Sequence, residues 1–168
     1  MILVIINIIL IYLYVVLDRI NLEILNLLQK NARISASEIA SEVGLSVPAA
    51  AERVKKLVES KLIEGFNTKL NAKEMGFDLC AFIAVDSASS DHYKDIIKEA
   101  LKNNSVLECH SVTGEGSHLL KIRVKNSTKL EKLLSDIQAW PGVIRTHTML
   151  VLSTFKETTD IDLDELTH

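Results

Sequence analysis

The chain has 168 residues, room for one ordinary domain or two small ones, and its 48% apolar content is enough to bury a core. Aromatics at 5% argue against carbohydrate binding or base stacking, and two isolated cysteines, Cys80 and Cys109, make neither a disulfide framework nor a zinc site. The net charge of −3 is unpromising for a DNA binder until it is divided: residues 18–71 carry eight Lys/Arg against seven Asp/Glu, whereas residues 72–168 carry eleven against fifteen. A single copy would therefore be a weak electrostatic ligand for DNA, and useful affinity requires several copies bound together.

Residues 1–17, MILVIINIILIYLYVVL, are almost wholly apolar. As a helix they would span about 26 Å, short of a bilayer core of roughly 30 Å. They lack the basic start and small-residue cleavage site of a secretory signal. After Met1, residues 2–16 use only Ile, Leu, Val, Asn and Tyr, all encodable by AT-rich codons. We expect residues 1–16 to be an apolar extension upstream of the true start, and a membrane tether through residues 1–17 to be the less economical reading.

Asp18 can cap a helix running to about Lys30, with Ile20, Ile24, Leu27 and Leu28 as its apolar stripe. Arg33, in the turn that follows, is a candidate phosphate contact. Ser35 and Glu38 have the spacing of a capping box, and Gly44 ends the short helix they start. Ser46 is a ready N-cap for the next helix, and Pro48 is tolerated in its first turn. Ala50, Val54, Leu57 and Val58 form a core-facing stripe, with Ala49, Glu52, Arg53 and Lys56 on the other side. A short helix, a tight turn with glycine and a longer helix with cations outside make a helix-turn-helix, whose second helix enters the DNA major groove. The alternative is a hairpin that only packs, with Arg53 bridging to an acid rather than to a guanine edge or phosphate. Val47, Ala49 and Ala51 offer methyl groups suited to thymine.

Residues 63–71 have the pattern of an extended hinge strand, and Asn71–Gly76 that of a turn or short helix. Beyond it the pattern alternates strand and helix: strand Leu79–Asp86, helix Asp91–Lys102, strand Val106–Thr113, turn Gly114–Ser117, strand His118–Val124, a helix opened by a Thr128/Glu131 capping box, and strand Val143–Ser153. That order predicts a ferredoxin-like βαββαβ sheet with two helices on one face. Its other face, apolar near Phe82–Val85 and Met149–Leu152, needs a cover, for which a second copy is economical.

No catalytic set stands out. Gly114 and Gly116 lie between strands, not before a helix, and so do not make a phosphate loop. Cys109 and His110 are strand neighbours that point to opposite faces. His110 and His118 across a hairpin lack a third metal ligand. We expect no catalytic residues, no metal site and no cofactor.

The run from Gly44 to Leu57 reads G-L-S-x-x-x-A-x-x-R-V-x-x-L and is followed by L-I-x-G-F. It resembles the helix-turn-helix of the Lrp/AsnC (feast/famine) transcription regulators, with Ala50 where the family usually has valine and Lys61 where it usually has a helix-ending glycine. A lysine in that left-handed position costs up to about 1 kcal/mol. Glu108–Gly114, Leu119–Lys121 and Pro141–Val143 resemble the family's C-terminal sensing domain. The likeness covers Leu17 to Phe155.

The resemblance implies an α+β chain. A helix-turn-helix domain (17–62) is followed by a hinge (63–76), a ferredoxin-like sensing and assembly domain (77–155) and an acidic tail (156–168). It implies a cytoplasmic, nucleoid-associated, DNA-binding regulator that forms dimers and octamers, modulated by an amino acid or related metabolite. The DNA-binding residues expected are Arg33, Ser46, Val47, Pro48, Ala49, Arg53 and Lys56. The effector residues implied are Gly114, Glu115, Gly116, Ser117, Met149, Leu150 and Val151. Ser117 stands where the family has an aspartate for the effector's ammonium group, leaving Glu115 as the nearby acid. Free amino acids are then expected to bind weakly, or the effector lacks an ammonium group, or there is none. The rival readings are a ligand-independent DNA-compacting protein and a stand-alone metabolite-binding protein.

Overall fold

The computed structural model describes residues 17–114 and 116–166, so the expectations for residues 1–16 and for Glu115 fall outside the described residues. The chain divides into two compact units, one holding residues 17–69 and 158–166 of those described, the other Leu70–Glu157.

The first unit is built from α1 (Arg19–Lys30), α2 (Ala36–Val43) and α3 (Val47–Glu59). Asp18 caps α1 by accepting the Asn21 N–H at 2.7 Å. The Ser35/Glu38 capping box forms in both directions, and Gly44 closes α2 at φ 68°. Ser46 caps α3, with Pro48 in the first turn. Ile24, Ile39, Ala50 and Leu57 fill the centre, flanked by Ile20, Val43, Val54 and Ile63. Val58, assigned to the core stripe from its spacing, is instead 41% exposed. The helix turns it past the edge of the core that the three described helices enclose.

Lys61 follows α3 at φ 61°, the one non-glycine residue with positive φ among those described. Its N–H donates to Val58 O at 3.0 Å, so the backbone turn is kept and the side chain bears the strain. Lys61→Gly is expected to stabilise this unit by about 0.5–1 kcal/mol, read as a higher midpoint of the helical circular-dichroism signal; an unchanged or lower midpoint counts against it.

Two hydrogen bonds tie the C-terminal segment to α1. The Gln29 amide donates to Ile161 O at 3.1 Å and accepts the Ile161 N–H at 2.7 Å.

The second unit is a four-stranded antiparallel sheet, order β2-β3-β1-β4, with β1 Leu79–Ser87, β2 Val106–Ser111, β3 His118–Val124 and β4 Val143–Leu150. Helices α4 (Tyr93–Lys102) and α5 (Ser127–Gln138) supply Ile96, Ala100, Leu133 and Ile137 to a core with Ala81, Ile83, Val85, Leu120 and Ile122. Strict alternation on β3 puts His118, Leu120, Ile122 and Val124 on the covered face. This is the expected ferredoxin-like arrangement. At the β4 entry, a Cβ on Gly142 would lie 2.2 Å from His92 Cβ, so only glycine fits there.

Four details differ from the sequence expectation. Residues 63–71 form no strand, and Phe66 and Leu70 stand 50% and 62% exposed. Strand β2 stops at Ser111 and β4 at Leu150, both short of the expected ends. The Thr128/Glu131 box does not start α5. Asn126, one of the strongest capping residues, takes the Lys129 N–H at 3.0 Å and begins the helix earlier. Finally, His110 pairs with Leu119 and His118 with Ser111, so the two imidazoles occupy opposite faces and cannot share a metal.

Candidate nucleic-acid interface

The caps fix the relation of α2 to α3: a left-handed glycine, a half-buried Leu45 and an N-capping serine give a turn too tight for slack. Helix α3 turns Ala50 and Leu57 inward at 0% exposure. Its solvent face then carries Val47, Pro48, Ala51, Glu52, Lys55 and Lys56. Arg33 is exposed before α2, and among the described residues only its backbone is engaged, by Asn31. Lys56 lies 3.9 Å from Glu52 and Lys55 3.7 Å from Glu59, both exposed pairs on one helix. Such pairs contribute well under 1 kcal/mol and exchange easily for phosphate.

Ala49 is half-buried, so Val47 and Ala51 are the methyl groups on view. Arg53 has a different surrounding from the one expected of a base-reading side chain. Its Nη1 donates to Asp18 Oδ2 at 2.6 Å and to Asn21 Oδ1 at 2.9 Å, and 30% of the side chain is exposed. The guanidinium is spent on the cap of α1. Asp18 thus does two things: one oxygen caps α1 and the other anchors α3. The signal was present in the sequence as an acid at a helix start, but the 35-residue separation hid the pairing.

In the second unit the hairpin between β2 and β3 turns on Gly114 at φ 106° and Gly116 at φ 85°. Ser117 faces inward: its N–H and Oγ both donate to Val85 O, at 2.8 and 3.1 Å. Ser117 Oγ lies 2.9 Å from His118 Nδ1. Met149 pairs with Phe82 and Leu150 with Ala81, so these neighbours on β4 point to opposite faces. The implied effector residues are therefore not gathered into one wall within this chain. On the outer face, Lys121 Nζ bridges Glu108 at 2.9 Å and Glu157 at 2.7 Å. That cation, ahead of burial, holds the Glu108 carboxyl below its ordinary range. Among the described residues no cluster of three metal-binding side chains occurs, and no helix is long and apolar enough to cross a membrane.

A capped helix-turn-helix on one unit and a βαββαβ sheet on the other define a DNA-binding transcription regulator with a separate sensing domain. Residues 17–64 match the winged helix-turn-helix DNA-binding family, and residues 80–161 match the Lrp/AsnC ligand binding domain. The HTH-type transcriptional regulator FL11 of Pyrococcus abyssi is 36% identical over 147 residues, 88% of this chain and 97% of the relative. The leucine-responsive regulatory protein of Escherichia coli is 35% identical over 144 residues, 84% and 88% of the two chains. A transcriptional regulator of Neisseria meningitidis, solved with L-methionine, superposes with a TM-score of 0.85 at 28% identity, covering 89% of this chain and 99% of that one. The feast or famine regulatory protein of M. tuberculosis, also complexed with L-methionine, gives 0.81 at 31%, covering 86% and 98%. The chain belongs to the Lrp/AsnC family of transcription regulators, and these relatives are regulators rather than enzymes.

Proposed function

We propose that the protein docks α3 in the major groove of AT-rich operators as a cytoplasmic homo-oligomer. The exposed face of α3 carries this reading. It offers the methyl groups of Val47 and Ala51 for thymine, and Lys56 for a phosphate, with Arg33 adding a second phosphate contact from the preceding turn. With Arg53 engaged by Asp18, few groups remain to read base edges. Recognition then leans on DNA shape, and the consensus is loose. The face is nearly neutral in sum, so affinity comes from multiple heads on one assembly. The outer sheet face, with Phe82, Leu119 and Met149, supports assembly through that side: Met149 is 45% exposed in the single chain.

Two relatives hold L-methionine, which supports an amino-acid effector here. Ser117 in place of an acid, and turned towards Val85, supports weaker binding of the ammonium group. The test is fluorescence anisotropy with operator DNA across a salt series. Arg33→Gln and Lys56→Gln should each lower the salt slope by about 1 while circular dichroism stays unchanged. Slopes identical to the parent protein would overturn this placement.

A further inference from the structure

In the half of the chain with excess acid, cations converge beside the end of β3. Arg123, Lys125, Lys129 and Lys132 line an open cleft of about 330 Å³ together with Phe77, Asn103, Ser105 and Asp136. The end of β3, the α4–β2 turn and the first turns of α5 build it. It lies at the other end of β3 from the Gly114–Ser117 hairpin, six residue steps or roughly 20 Å away.

These cations have few internal duties. Among the described residues none of the four sits in an ion pair, in contrast to Lys121 on the same strand as Arg123, which two carboxylates clamp. Arg123 Nη1 reaches only the Phe77 carbonyl, at 3.5 Å, and Lys125 Nζ stands 5.5 Å over the Phe77 ring. Lys129 and Lys132 are exposed on the first two turns of α5, where the helix dipole adds positive potential. Four like charges against one lining acid, Asp136, raise one another's energy, and a multiply charged anion relieves that.

We propose that this cleft binds a small phosphorylated metabolite that carries hydroxyl groups. The phosphate sits among Arg123, Lys129 and Lys132. Asp136, which would repel a phosphate, accepts from a hydroxyl, as does Asn103. The volume is at the lower end of ligand sites and suits a sugar phosphate better than a large coenzyme. The proposal is independent of the amino-acid effector reading.

The test is calorimetry on the full chain at low salt with ribose 5-phosphate and inorganic pyrophosphate as probes. Saturable binding of at least one probe is expected, at one per chain. The double variant Lys129→Gln, Lys132→Gln should bind at least about tenfold more weakly. Lys98→Gln, which removes an exposed lysine on α4 outside the cleft, should bind as the parent does. Both positions of the double variant are on a helix surface, and matching Trp140 fluorescence and circular dichroism verify its fold. Silence from both probes, or equal binding by the double variant, overturns the proposal. A second arm measures DNA binding without probe: an unchanged salt slope in the double variant is expected. A slope lower by about 2 would assign these lysines to DNA phosphates and overturn the small-ligand reading.

Discussion

Arg53→Ala should destabilise the helix-turn-helix unit by about 1–3 kcal/mol, the range of a hydrogen bond to a charged group. A fully exposed pair would contribute less than 1 kcal/mol. Here the side chain is 30% exposed, its bond to Asp18 is 2.6 Å, and the second acceptor belongs to Asn21, which is 8% exposed. Truncation removes a donor from a buried amide and a counter-charge from the carboxylate that caps α1. Thermal unfolding followed by helical circular dichroism checks this, because the single tryptophan, Trp140, lies in the other unit and does not report on it. Arg53→Lys should recover only part of the loss, since an ammonium cannot hold two acceptors in the plane of a fork. A double-mutant cycle with Asp18→Asn should show a coupling of at least about 0.5 kcal/mol. DNA affinity of the remaining folded protein should be little changed. Unaltered stability together with a large loss of DNA affinity would return Arg53 to the DNA-facing side.

What could be read from the sequence divides along the range of the interactions involved. Caps at Asp18, Ser35, Gly44 and Ser46 are decided within three or four residues, and all four form as their spacing indicates. The alternation of β3 is local too, and its covered face follows from it. Competition between two local signals is harder: Asn126 and Thr128 both can start a helix, and the better cap won. The extended pattern of residues 63–71 shows an intrinsic preference without a partner strand among the described residues. Least legible was anything that required two particular distant segments to meet. The Asp18–Arg53 bridge, the seating of Gln29 on Ile161, and the convergence of Arg123 with Lys129 and Lys132 are of that kind. For the candidate site the consequence is specific. Periodicity placed Arg53 on the outer face of α3, and geometry places its charge on α1.

A second large effect is expected on acidification. His118 is fully buried at the start of β3, with Tyr93 packed edge-on at 4.9 Å between ring centres. The Ser117 hydroxyl has one proton, which goes to Val85 O, so it accepts from His118 Nδ1–H. That tautomer leaves Nε2 as a bare acceptor, and no partner for it exists among the described residues. Burial therefore holds the imidazole neutral and its pKa below the ordinary 6.5. In the unfolded chain the same ring protonates near 6.5. The unfolded state binds more protons below that value, so the stabilisation is complete above about pH 6.5 and is lost as pH falls towards the depressed folded value. One proton gives a slope of at most about 1.4 kcal/mol per pH unit. Urea unfolding read by Trp140 at pH 7.5 and 5.0 measures it in the right unit. Between these pH values the parent should lose more stability than His118→Leu, by at most about 2 kcal/mol. The Glu108 carboxyl, held below its ordinary 4.5 chiefly by Lys121, titrates below this window and does not confuse it. At neutral pH the leucine variant should be as stable as the parent or more so, because an unsatisfied buried nitrogen is removed. Parallel pH dependences in the two proteins would show that His118 carries no such linkage. The loop consequence is direct: Ser117 and Val85 hold both this imidazole and the Gly114–Gly116 hairpin, so charging His118 should loosen that hairpin first.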